Sequence, residues 1–88
     1  MSCTVRIASP LRSYTNGAAS VAASGSTVAD VLADLDRRYP GMRFRMIDEQ
    51  DRIRRHVRVF INDREAATLA ETVASGDHVH LICALSGG

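Results

Sequence analysis

The sequence predicts an α+β domain in which a mixed sheet of four to five strands packs against one main helix. Three observations carry this reading: apolar residues alternate with period two near both ends of the chain, one run repeats at helical spacing, and turn residues punctuate the rest. With 88 residues, 45% of them hydrophobic, the chain fits a single domain. A domain of this size buries only about 60% of its unfolded surface, which leaves little room for a deep cleft.

Cys3, Val5 and Ile7 share one face of an opening strand, with Thr4, Arg6 and Ala8 on the other. Pro10 ends that strand, Asn16-Gly17 supplies a turn, and Ala18 to Ala23 resumes an extended segment centred on Val21, making a hairpin with a long loop. Ser24-Gly25-Ser26-Thr27 marks a boundary, where Ser26 or Thr27 caps a helix and Asp30 sits near its positive end. Val28, Val31, Leu32, Leu35 and Tyr39 form the apolar stripe of that helix, and Asp30, Asp34, Arg37 and Arg38 occupy its other faces. Pro40-Gly41 stops it.

Met42 to Arg55 carries Met42, Phe44, Met46, Ile47 and Ile53 without a clean period, and reads as a partly packed loop with room for one helical turn. Val57, Val59 and Ile61 then alternate with Arg58 and Phe60, and Asn62-Asp63 turns into a short segment at Arg64 to Ala66, a second hairpin. Ala67 to Ala74 spaces Leu69 and Val73 one helical turn apart. Gly76-Asp77 turns again, and a last strand from His78 to Leu85 points Val79, Leu81 and Cys83 inward. This order matches the β-grasp fold, in which the first and last strands lie parallel at the sheet centre. Such pairing holds Cys3 and Cys83 about 15 Å apart, so they are expected to stay reduced and unbridged.

The charged fraction is 24% and the formal net charge +1, too weak a field for a nucleic-acid or membrane-surface binder. No apolar run approaches a membrane span, and the first ten residues lack the regions of a signal peptide, so a cytoplasmic location is expected. All 11 basic side chains are arginine. Without lysine, the chain offers only its amino terminus for self-acylation, which argues against polymeric tagging. His78 and His80 share a strand face but lack a third ligand, so no metal site is expected. Asp34, Asp36, Asp48, Glu49 and Asp51 read as solvated carboxylates rather than a catalytic pair, and Cys83 reads as a core residue.

The chain stops on Leu85-Ser86-Gly87-Gly88. Glycine has no Cβ, so such a tail fits a channel closed to other residues and leaves its terminal carbonyl carbon accessible. Residues 1–85 are read as the domain and 86–88 as a flexible reactive tail. The run Gly76-Asp77-His78-Val79-His80-Leu81-Ile82 with Ala84-Leu85-Ser86-Gly87-Gly88 resembles the final strand and tail of ubiquitin-like sulfur carriers of the MoaD and ThiS type. Leu11-Arg12, Thr27-Val28-Ala29-Asp30-Val31-Leu32, Tyr39-Pro40-Gly41 and Arg55-His56-Val57-Arg58-Val59-Phe60-Ile61-Asn62 extend the resemblance over essentially the whole chain. The length and the Met42 to Arg55 insertion resemble the molybdopterin-synthase small subunit and, through the Arg55 to Asn62 segment, carriers that feed cysteine-synthase-like enzymes.

The resemblance implies that an ATP-dependent, ubiquitin-activating-type adenylyltransferase and sulfurtransferase adenylates Gly88. Sulfide or a persulfide then leaves a thiocarboxylate, which donates sulfur to a partner biosynthetic enzyme. Gly88 would carry the chemistry, Gly87 the clearance, and Ser86 and Leu85 the guidance of the tail; the domain itself would be a cosubstrate, not an enzyme, with no bound cofactor. Phe60 and Ile82, which alternate out of the core pattern, and Arg58 beside them are candidate docking residues. Arg52, Arg54, Arg55 and Arg58 form a basic cluster, read as a solvated face with an acidic partner surface as the other reading. Two further classes remain: a protein modifier joined through Gly88 to lysines of other proteins, and a non-covalent interaction module.

Overall fold

The computed structural model describes residues 2–83. Alternation at the amino terminus produces β1 (Ser2–Arg6), followed by a 3₁₀ helix (Ser9–Thr15) and β2 (Ser20–Ser24). The main helix is α1 (Val28–Arg38), and a second, short helix is α2 (Met42–Met46). β3 (Val57–Ile61), β4 (Arg64–Glu65) and β5 (His78–Cys83) complete a five-stranded sheet in the order β2-β1-β5-β3-β4. β1 and β5 pair in parallel at its centre, and the other pairs are antiparallel. This is the β-grasp arrangement expected from the element order.

The core lies between the sheet and α1. Val5, Val59, Val79 and Leu81 meet Val28, Val31, Leu32 and Leu35, all essentially inaccessible to solvent. Thr27 is the cap: its hydroxyl accepts from the Asp30 N–H at 3.2 Å. Tyr39, expected on the apolar stripe, is instead the residue after the helix, its backbone turned out of the helical region before Pro40 at φ -133 and ψ 84. Gly41 then adopts φ 96 and opens α2. α2 and the short bridge between Ile47 and Ile53 resolve the stretch that had no clean period. Met42, Met46 and Ile47 are buried, so the insertion extends the core.

Two expectations need correction. The long loop after β1 is a 3₁₀ helix, which buries Leu11 and Thr15 and leaves through Asn16 at φ 56. Ala67 to Ala74 contains a turn and no helix at the spacing of Leu69 and Val73. Its carbonyls are used to cap α1: the N–H groups of Val28 and Ala29 donate to Glu71 O and Leu69 O at 3.0 Å each, and Thr72 bridges Thr27. Asp34 is not a solvated carboxylate. It is buried, accepts the Ser24 N–H at 2.9 Å and pairs with Arg37 and Arg38, tying α1 to the end of β2.

Thr4 pairs with His78, which sets Cys3 level with Asp77 and Cys83 about 20 Å further along the parallel pair. Both thiols are free. No helix among the described residues is long and apolar enough to cross a membrane.

Candidate functional site

β5 is the strand that carries the chain toward its carboxyl end, and it is hydrogen-bonded on both sides. Its last described residue is Cys83. The expectations placed on Leu85, Ser86, Gly87 and Gly88, and on a boundary after residue 85, lie outside the described residues. The surroundings of the strand end are well defined, and they constitute the candidate site.

On the outer face of the sheet, the pairing of β3 with β5 sets Arg58 opposite Ile82 and Phe60 opposite His80. Phe60 and Ile82 are therefore diagonal neighbours on one face, within reach of each other's side chains. The structure thus brings all three expected docking residues together. Ile82 is 46% exposed, Phe60 is half-buried, and the Arg58 guanidinium pairs with Glu65 at 3.1 Å. On the other flank, a cleft of about 390 Å³ is lined by Ala8, Pro10, Arg12, Leu81, Ile82 and Cys83. Arg12 is fixed there by donating its Nε–H to Ile7 O at 3.0 Å. The sequence reading had not placed this 3₁₀ segment beside the strand end; Leu11, an apolar residue directly after Pro10 and before a cation, was the available signal.

Cys83 is half-buried, and burial pushes its thiol up from the ordinary value against a partial pull downward from Arg45. Cys3 is also raised, by burial and by the nearby Asp77. Raised thiols are protonated at neutral pH and poorly nucleophilic. Among the described residues, no three His, Cys, Asp or Glu side chains gather as metal ligands.

The basic cluster divides. Arg54, Arg55 and Arg58 line a groove of about 460 Å³ with Ile53, Val57 and Glu65, whereas Arg52 turns to Asp48 at 3.5 Å. Arg54 donates its Nε–H to Phe44 O at 2.8 Å, and its guanidinium carbon lies 4.7 Å from the centroid of the Phe44 ring. Phe44 is 61% exposed. It is the residue that sequence reasoning missed: once Met42 and Met46 are taken as one buried helical face, the position between them must point away.

A β-grasp domain whose last described strand is central in the sheet and ends beside a partly apolar, arginine-edged face defines a ubiquitin-like protein. Within that class the chain belongs to the ThiS family, whose model matches residues 5–88. It is 37% identical over 93 residues to the sulfur carrier protein CysO of Mycobacterium tuberculosis, covering 100% of both chains. The crystal structure of Mycobacterium tuberculosis CysO superposes with a TM-score of 0.89 at 35% identity, over 94% of this chain and 99% of that one. A chain in the crystal structure of the Amycolatopsis orientalis BexX/CysO complex gives 0.90 at 32% identity, over 98% and 99%. SAMP1 from Haloferax volcanii gives 0.84 at 27% identity over the full length of both.

Proposed function

We propose that the chain is a sulfur carrier whose terminal glycine is the working group. A carboxylate is a poor electrophile, so Gly88 must first attack the α-phosphorus of ATP on an activating enzyme, releasing pyrophosphate and forming an acyl adenylate. Sulfide then displaces AMP at the acyl carbon; where a persulfide attacks instead, a second thiol reduces the acyl disulfide it forms, releasing the thiocarboxylate and leaving a disulfide. The resulting thiocarboxylate is a nucleophile held on a protein, and it donates its sulfur to an activated carbon in a partner biosynthetic enzyme. Hydrolysis returns the carboxylate for another cycle.

The observation that carries this reading is full-length similarity to sulfur carrier proteins together with the Leu85-Ser86-Gly87-Gly88 ending. The domain contributes recognition and not catalysis: Phe60, Ile82 and Arg58 dock partners, Gly87 clears the channel, and Ser86 and Leu85 guide the tail. ATP belongs to the activating enzyme, and a cytoplasmic location goes with that supply of ATP. The BexX/CysO complex supports docking onto a partner enzyme, and the relationship to CysO supports a cysteine-synthase-like acceptor.

The test is intact mass. Incubated with its activating enzyme, ATP and sulfide, the chain should gain the mass of one sulfur-for-oxygen exchange, and a chain lacking Gly88 should gain nothing. No gain in the intact chain, with the enzyme active on another carrier, overturns the reading. Similarity to SAMP1, a small archaeal modifier protein, supports a second reading in which Gly88 is joined to lysines of other proteins. Covalent ladders of cell proteins bearing this domain would select it.

A further inference from the structure

We propose that Phe44 and Arg45 on α2, with Arg54 over the Phe44 ring, form a second docking point for the activating enzyme, on the β3 side of the strand end. The partner surface that fits is an apolar socket edged by carboxylates. This inference rests on the sulfur-carrier reading and adds to it the part of the body that the activating enzyme grips.

The placement follows from a chain of contacts. Cys83, at the end of β5, pairs with Val57. The Val57 N–H donates to Arg54 O at 3.0 Å, and the Arg54 N–H donates to Met46 O at 3.0 Å. The Arg54 side chain then reaches back to Phe44 by the hydrogen bond and stacking described above. Arg45 is close enough to Cys83 to pull on its thiol. α2 is thus anchored beside the described end of β5, with Met42 and Met46 fully buried and Phe44 exposed. Phe44 and Ile82 are the large apolar side chains left exposed among the described residues.

The chemistry of the patch identifies its partner. Phe44, Arg45, Glu49, Arg54 and His56 line a concave surface of about 450 Å³. A guanidinium held over an aromatic ring with its Nε–H already donated is pre-oriented, and its Nη groups can take a carboxylate. An exposed aromatic beside ordered arginines is the composition of an interface hot spot. Here two arginines face one glutamate, so the complementary rim is acidic.

The need for recognition by the body is greatest at activation. A thiocarboxylate is chemically distinctive, but the activating enzyme must choose one carboxylate when every polypeptide ends in one. The tail offers it little: two of its last four residues have no side chain. Selection must therefore come from surfaces beside the tail.

Calorimetric titration of the full chain into its activating enzyme without ATP, at low and high salt, tests this. Phe44→Ala should weaken binding about tenfold, about 1.4 kcal/mol. Arg45→Glu should weaken it comparably and flatten its salt dependence. Asp63→Arg, at the far end of the sheet, should leave binding unchanged, and melting curves would verify that each variant folds. Wild-type affinity in both the Phe44 and Arg45 variants, or no binding by the unsubstituted chain, overturns the proposal. Binding that depends on both residues without ATP–pyrophosphate exchange supports the docking point and overturns the sulfur-carrier reading instead.

Discussion

Gly25 shows how a single position sets the attachment of the main helix. A Cβ built there would fall 2.7 Å from both Asp30 Cβ and Val31 N, contacts that backbone cannot relieve cheaply. Gly25→Ala should therefore cost about 1–3 kcal/mol through overpacking, read as a lower urea midpoint with unchanged slope. Asp34 is the second such residue. Its carboxylate takes the Ser24 N–H, so Asp34→Ala strands a donor and should cost about 1–3 kcal/mol, whereas Asp34→Asn keeps an acceptor and should cost less. Equal losses from the two substitutions would show that the Arg37 and Arg38 pairs matter more than the backbone bond. Neither role was legible beforehand. An aspartate on a helix next to two arginines looks solvated, and only the approach of β2 reveals its backbone partner.

At the scale of elements, α2 joins core and surface. Met46 is fully buried beneath it, so Met46→Ala should destabilise the domain by about 2–5 kcal/mol in chemical denaturation. A loss under 1 kcal/mol would mean that the insertion packs independently of the main core. β1, α1, β3 and β5 were all readable in advance, because each buries one face and so repeats at its own period. The 3₁₀ helix was not, since Pro10, Leu11 and Tyr14 are too few to establish a period. The segment after β4 was legible only as a turn, for a different reason. Its conformation is set by the first-turn amides of α1, a long-range demand that leaves no local pattern.

For the whole molecule, acid sensitivity is the accessible test. Asp77 lies below the ordinary carboxylate value because the Ala74 N–H and the Asn62 side chain donate to it, and Asp48 is lowered chiefly by the Arg52 N–H. Groups depressed in the folded state lend stability that is complete above about pH 4 and disappears as pH falls through the folded-state value. The melting temperature should drop over that window, and Asp77→Ala should flatten the drop; an unchanged profile would remove Asp77 from the account. The candidate site was legible in part: the sheet-face residues followed from alternation in β3 and β5, while the Phe44 side required the fold of the insertion. The position of β5 also has a mechanical consequence. A pull applied beyond Cys83 acts along the axis of a strand bonded to β1 on one side and β3 on the other. Such a load falls on both ladders in shear, many bonds at once, rather than peeling them one bond at a time.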